Sequence, residues 1–322
     1  MDDYRNVKRI KTEGGKMERN IIQRGLARAG YKGYMNWIPD SLYLKLMFWA
    51  RLGLKLNYSN PKTLNEKVQL LKLKDRKKEY IKWVDKYSVR QYIEDKIGRD
   101  YLIPLVGGPW NKFEDIDFDK LPDQFVLKCT HDSGGLVICT DKSKFDREVA
   151  RKKIEHSLKR NFYWFGREWP YKNVPARIIA EKYMSEDKND TESTFNEING
   201  GLRDYKLYCF DGKVKLYLVT TDRSKGATTG DYFDEQNRHL DLIWGFPNAK
   251  TIPDVPNNIE KMKELAEILA AGIPQLRVDF YCIHDKVYFG ELTFFDGSGF
   301  DEIEQECYRN LLGDYIKLPT LV

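Results

Sequence analysis

RVDFYCIHDKVYFGELTFFDGSGF, residues Arg277 to Phe300, reads as two β-strands joined by a tight turn. Leu276 to Ile283 and Val287 to Leu292 are rich in β-branched and aromatic residues, and the polar pair His284-Asp285 separates them as a hairpin tip would. Side chains alternate between the faces of a strand, so Arg277, Asp279 and Tyr281 share one face. A turn at His284-Asp285 carries Glu291 across to the neighbourhood of Asp279, and two carboxylates and one guanidinium then converge on one surface. Two acids that close repel each other unless a cation lies between them. Magnesium suits such a place, being a hard ion that takes one or two carboxylates and fills its shell with phosphate and water oxygens. A solvated sheet face with cross-strand ion pairs explains the same pattern. The hairpin therefore has to be weighed with the rest of the chain.

Further upstream, Phe125-Val-Leu-Lys128 is an apolar strand ending in a lysine, followed at once by Cys-Thr-His-Asp-Ser133-Gly134-Gly135. A lysine facing a small-residue loop is a phosphate-binding device, because bare backbone amides approach the anion while the ammonium neutralises it. Taken alone, the Gly-Gly pair is equally a hairpin turn. Ile178-Ile-Ala-Glu181-Lys182-Tyr183-Met184 is a strand that breaks before an acidic loop, a hinge able to offer main-chain groups to an adenine edge, with Glu186 or Glu192 left for ribose hydroxyls. Its plainer interpretation is a strand end with an exposed charge pair. Lys206 in Asp204-Tyr205-Lys206, and Arg223, add cations on or beside strands; such residues are often surface charges.

The order of these pieces along the chain resembles the ATP-grasp superfamily, and within it the TupA-like branch linked to teichuronopeptide and capsular polysaccharide synthesis. The resemblance is carried by NPKTLNEKVQLLKLKDR (Asn60 to Arg76), DKYSVRQYIEDKIGRDYLIPLVG (Asp85 to Gly107), LPDQFVLKCTHDSGG (Leu121 to Gly135), DYKLYCFDGK (Asp204 to Lys213) and RVDFYCIHDKVYFGELTFFDGSG (Arg277 to Gly299). It implies an α+β chain: an ATP-grasp fold of two α+β lobes clasping ATP, preceded by a mainly helical N-terminal region. It also implies ATP and magnesium as cofactors and a ligase that activates a carboxylate as an acyl phosphate before an amine attacks it. By the same resemblance, Lys128 and Lys206 hold ATP phosphates, Ser133, Gly134 and Gly135 cover them, and Glu181, Lys182, Tyr183 and Met184 form the adenine hinge. Asp279 and Glu291 hold magnesium. Arg277, Lys206 and Arg223 offset developing charge, and the turn Asp296 to Gly299 brings Ser298 and Gly299 to the acyl group. In related ligases an asparagine follows the second metal-binding glutamate at a spacing of two; here that place is Thr293.

The implied carboxylate is a uronic acid on a sugar nucleotide, a lipid-linked oligosaccharide or a polymer, and the implied co-substrate is an amine or amino acid. Two rival classes share the sugar context. A glycosyltransferase is suggested by the overlapping Asp-x-Asp triplets of Asp115-Ile-Asp117-Phe-Asp119, which an acidic solvated turn also explains. A sugar kinase would use the same ATP cradle without making an amide.

The remaining features set the context. The chain has 322 residues, 41% hydrophobic and 32% charged, with a net charge of +5, which describes a globular protein with no demand for nucleic acid. Five cysteines, Cys129, Cys139, Cys209, Cys282 and Cys307, contain no Cys-x-x-Cys pair and indicate a reducing compartment. No leader-like start and no apolar run of about 18 residues is present, so the expected location is the cytoplasm. LYLKLMFWARLGL, Leu42 to Leu54, either lies on the inner face of a membrane or is a helix buried in the main body.

The expected organisation is a poorly ordered or loosely docked segment over 1–40, a helical region over 41–120, and two ATP-grasp lobes over 121–185 and 186–322. The helical region is expected to shape the acceptor site. Thr63 and Glu66 form a capping box for a helix from Leu64, and Asp211-Gly212 marks a hairpin between Leu207 to Phe210 and Val214 to Val219. Thr221 to Asn237 is polar and glycine-bearing and reads as a mobile loop.

Overall fold

A computed structural model describes residues 19–185, 204–221 and 228–319. Helix α1 (Ile21–Tyr31) opens this part, with Asn20 and Gln23 capping each other reciprocally at 2.9 Å. It lies against α2 (Asp40–Leu52) so closely that a Cβ on Gly30 would fall 2.7 Å from Met47 Sδ. The loosely docked start expected up to residue 40 is thus corrected from Ile21 onward, since small residues let the two helices meet. Of the two alternatives for Leu42 to Leu54, the buried helix holds: Tyr43, Leu44, Met47, Phe48 and Ala50 are buried, and all but Ala50 join Met35, Ile38, Leu56 and Phe300 in one core.

Next come α3 (Leu64–Lys74), capped by Thr63 and Glu66 as the sequence predicts, α4 (Glu79–Val84) and α5 (Val89–Lys96). Leu64, Val68 and Leu71 of α3, Val84 of α4 and Ile93 of α5 belong to the same core as the larger of two sheets. The helical region is therefore part of the main body, not an appendage.

The smaller sheet is antiparallel in the order β1-β4-β2-β3, from β1 (Leu105–Trp110), β2 (Phe125–Cys129), β3 (Leu136–Cys139) and β4 (Ile178–Lys182). Its first strand starts earlier than the sheet region expected from Leu121, because Gly107-Gly108-Pro109 dilutes the strand pattern. Helix α6 (Arg147–Leu158) covers this sheet, packing Ala150 and Ile154 on Phe125, Leu127, Ile178 and Ala180, and the short α7 (Tyr163–Gly166) follows.

The larger sheet is also antiparallel, in the order β10-β9-β5-β6-β7-β8, from β5 (Asp204–Phe210), β6 (Lys213–Thr221), β7 (Thr229–Asp234), β8 (His239–Leu240), β9 (Gln275–Ile283) and β10 (Lys286–Thr293). Both expected hairpins form. Their tips, Asp211-Gly212 and His284-Asp285, have positive φ at both residues (49° and 76°; 49° and 60°), the twist that matches flanking strands. Strand β7 corrects the loop expected over Thr221 to Asn237 from Thr229 onward, and 222–227 lie outside the described residues. Tyr232 and Phe233 are core residues, and the acid beside them, Asp231, is buried with His239 Nε2 at 2.9 Å and the Ala249 amide at 3.1 Å.

Helix α8 (Ile259–Ala270) sets Met262, Leu265, Ala266 and Leu269 into the large core, where each buried leucine stabilises the fold by about 2 kcal/mol. Helix α9 (Glu306–Tyr315) closes the chain against α3, with no room for a Cβ on Gly313 beside the Lys62 carbonyl. Among the described residues, no helix is long and apolar enough to cross a membrane.

Candidate functional site

Three neighbouring strands supply the centre of the site. Lys206 of β5 pairs with Asp279 of β9, and Asp279 pairs with Glu291 of β10, so a cation and two acids form one row across the sheet. Lys206 Nζ lies 2.7 Å from Asp279 Oδ2. Arg277, two residues along β9 and therefore on the same face, grips Asp279 at 2.7 and 2.8 Å and reaches Glu291 Oε1 at 3.0 Å. It also donates to Asp296, whose other oxygen accepts from the Tyr208 hydroxyl at 2.6 Å. Burial opposes the Arg277 charge, but Asp279, Asp296 and Glu291 outweigh it and hold the guanidinium protonated well above its ordinary value. Glu291 is the open member, 40% exposed against 4% for the Asp279 side chain. The Thr293 hydroxyl donates to Glu291 Oε1 at 3.3 Å, so this threonine orients the acid.

The smaller sheet and α5 supply the facing wall. Lys128 of β2 sits 2.6 Å from Glu181 of β4, and Arg90 of α5 reaches the other oxygen of Glu181 at 3.4 Å. Burial disfavours the Lys128 charge; Glu181, then Tyr281 and Glu291, overcome it and raise the ammonium above its ordinary range. Lys86, just before α5, lies 3.7 Å from Glu291 Oε2 and donates to the Asp132 carbonyl at 3.1 Å. One side chain thereby ties the β2–β3 loop to the acid of the opposite sheet. Lys86, Arg90, Lys128 and Glu181 line one small cleft with Phe289 and Gly290 of β10. Lys86 and Arg90 escape the reading of the sequence; the signal available was their position four residues apart beside an N-terminal turn, on a face that had to meet the sheets.

The loop residues divide. Ser133 and Gly134 are exposed at the tip between β2 and β3, and Gly134 has φ +92° with open space around it. Gly135 is buried, and a Cβ there would lie 2.1 Å from Ser157 Oγ, so packing against α6 accounts for this glycine. In the Glu181 to Met184 segment, the Glu181 carboxylate is a partner of cations and the Lys182 amide donates to the Pro104 carbonyl at 2.9 Å. Lys182 is exposed, and the buried Tyr183 hydroxyl has no hydrogen-bond partner among the described residues. Arg223, Glu186 and Glu192 lie outside the described residues.

The turn Asp296 to Gly299 is bound from behind by α3. Its Ser298 carbonyl accepts from Lys72 Nζ at 2.6 Å and Gln69 Nε2 at 3.1 Å, while Gly299 accepts from Asn65 and Gln69 at 3.1 Å each. The Ser298 amide donates to Phe295 and its hydroxyl to Glu168, so both are satisfied within the chain. Lys72 and Glu168, buried behind the turn, also escape the sequence reading. As for the Asp-x-Asp triplets, Asp117 caps its own turn by accepting from the Asp119 amide and pairs with Lys120, as a solvated turn requires. All five cysteines are free.

A family model described as TupA-like ATP-grasp matches residues 66–317. No curated protein matches the sequence. Among solved structures, the chain resembles D-alanine–D-alanine ligase from Bacillus anthracis at 15% identity, over 66% of this chain and 57% of that one, with a TM-score of 0.37. The Helicobacter pylori enzyme of the same name gives 15% identity, 74% and 61% coverage and a TM-score of 0.40. N5-carboxyaminoimidazole ribonucleotide synthetase from Thermus thermophilus gives 11%, 78% and 52%, and 0.34. The chain thus spans between about half and three fifths of the length of these structures. The family match covers most of the residues, including every strand that builds the cleft: the chain belongs to the TupA-like ATP-grasp family.

Proposed function

We propose that this chain is an ATP-dependent ligase that joins a carboxylate to an amine. The observation that carries this reading is the row Lys206, Asp279 and Glu291, bridged by Arg277 and faced by Lys86 from the turn before α5 and by Lys128 from the smaller sheet. Cations and acids that now neutralise each other are a store of partners for a triphosphate and its metal. In this reading Lys128 and Lys206 turn to phosphate oxygens, Ser133 and Gly134 cover them while the buried Gly135 anchors their loop on α6, and the Glu181 to Met184 segment flanks the adenine.

Asp279 and Glu291 would hold magnesium. Among the described residues no three or more metal-binding side chains cluster, which is compatible with an ion that takes two carboxylates and draws its other ligands from phosphate and water. The donor set fits: two hard oxygen groups stand opposite each other, and one of them is open to the cleft. When bound, magnesium would neutralise charge on the phosphates.

The reaction needs no protein nucleophile. The substrate carboxylate attacks the γ-phosphorus of ATP, ADP leaves, and the acyl phosphate is then attacked by the amine, releasing phosphate and forming an amide. Arg277 and Lys206, with Arg223, offset the charge that moves onto the leaving oxygens, and holding the reactants in line contributes the rest. Ser298 and Gly299 border the acyl position in this scheme, with α3 fixing their turn. The resemblance to the teichuronopeptide branch points to a uronic acid of a surface polysaccharide or its precursor as the carboxylate, and to an amino acid or other amine as its partner.

ADP release measured over uronic-acid acceptors crossed with amines, followed by product mass, tests the proposal. Release that needs both substrates, with an amide mass, supports it. A phosphorylated sugar made without amine, or UDP released from a UDP-sugar, would replace it with a kinase or a glycosyltransferase.

A further inference from the structure

We propose that α1 and the turn after it dock on the surface of an anionic lipid bilayer. Ten large hydrophobic side chains are exposed among the described residues, and six of them, Ile21, Ile22, Tyr31, Tyr34, Trp37 and Leu42, fall within 22 residues of sequence. Trp37 is 82% exposed and Ile21 78%. A folded surface seldom concentrates such groups unless something covers them.

Charge identifies the cover. Residues 19–39 contain Arg19, Arg24, Arg28 and Lys32 and no acid. Asp40, the first acid after them, is turned inward, 2.8 Å from Arg76 and 2.6 Å from the Tyr163 hydroxyl. Helical geometry puts Ile21 and the helix cations Arg24 and Arg28 on one side. Gln23 and Gly30 mark the buried stripe of α1, and at about 100° per residue Ile21, Gly25 and Arg28 lie opposite it, with Arg24 beside them. Trp37 is fixed by its indole N–H, which donates to the Tyr34 carbonyl at 3.1 Å, and both amphipathic side chains are exposed. Aliphatic and aromatic groups interleaved with arginines suit the headgroup layer, where rings and isoleucines enter the acyl boundary and cations meet phosphates. An apolar protein partner would not call for the arginines.

The surface differs from the one that hydropathy alone suggests. Leu42 to Leu54 spends its apolar side chains on the core, and the docking face is made by the helix before it. The inference does not rest on the ligase reading, since none of these residues touches the cleft.

The test is co-sedimentation of the full chain with vesicles of phosphatidylcholine alone or with about one third phosphatidylglycerol. Binding to the anionic vesicles, weakened by salt, is expected. Arg24→Gln and Arg28→Gln should each lower the partition coefficient about fivefold. Trp37→Ala should lower it about tenfold. Thermal melting should stay unchanged, because these side chains face outward. Failure of the full chain to bind anionic vesicles overturns the proposal, whether a second copy or residues 1–18 cover the patch. Equal binding by the three variants overturns it too, as does a dimer in sedimentation that Trp37→Ala dissolves.

Discussion

Glu291 stands opposite Asp279 because Gly290 is an extra residue in β10. Up to Phe289 the ladder pairs Phe289 with Phe280, and an unbroken register would set Glu291 against Val278, whose side chain belongs to the core. The bulge moves it one place and turns its carboxylate to the cleft. A Cβ at Gly290 would approach the Asp279 carbonyl to 3.0 Å and Tyr281 to 3.2 Å. Gly290→Ala should therefore push the strands apart, costing about 1 kcal/mol of stability and lowering ADP release about tenfold. Thermal melting beside the ADP assay checks this; full activity would mean the bulge has slack.

Replacing either acid should lower turnover strongly, but the two should differ in stability. Asp279 is buried and holds both Arg277 and Lys206, so Asp279→Ala leaves two cations without their main partner and should cost about 3 kcal/mol. Glu291 is partly exposed, and Glu291→Gln should cost less than about 1 kcal/mol while lowering the rate by about a hundredfold or more. Urea denaturation read beside turnover separates the two effects. Active Glu291→Gln would remove this acid from the chemistry.

The central hairpin was legible because its turn and its alternation are local properties of the sequence. The bulge was not: KVYFGELT is compatible with a regular strand, and only the ladder reveals that Gly290 adds a residue. Strand β7 was hidden for a related reason. Gly230, Asp231 and Asp234 read as loop, and the partners that let Asp231 be buried, His239 and the Ala249 amide, come from later in the chain. Lys72 looks like a solvated lysine of α3 until tertiary packing places the Gly166 and Ser298 carbonyls around it. Propensity and pattern thus located the strands of the two hairpins and β2 to β4, while β1, β7 and the pairing of remote polar groups lay beyond them.

Lys72 and Glu168 make stability depend on pH. Burial pushes the Lys72 ammonium from 10.5 down to about 7, with Glu168 pulling it up, and pushes the Glu168 carboxyl from 4.5 up to about 7, with Lys72 pulling it down. From 4.5 to about 7 the folded chain keeps a proton on Glu168 that the unfolded chain has lost, so stability falls as pH rises. Between about 7 and 10.5 the unfolded chain binds the proton that folded Lys72 has released, so stability rises again. The pair should give a stability minimum near neutrality. Denaturation at about pH 5, 7 and 9 should show it, and Lys72→Met with Glu168→Gln should flatten it. A minimum that survives in the double variant would belong to other groups.

The paired glycines after β2 should separate binding from folding. Gly134 has φ +92° and open space around it, so Gly134→Ala meets backbone strain alone and should cost about 1 kcal/mol. Gly135→Ala forces a methyl within 2.1 Å of Ser157 Oγ and 2.8 Å of Cys129 Cβ, which displaces α6 and should cost about 3 kcal/mol. If the exposed tip covers phosphates, stiffening it at Gly134 should raise KM for ATP about tenfold with kcat less affected, because the loop must close on the nucleotide. Gly135→Ala should act mainly through the amount of folded protein, leaving KM of the surviving fraction near that of the parent. Steady-state kinetics normalised to folded protein distinguishes the two, and an unchanged KM in Gly134→Ala would argue that the loop stays clear of ATP.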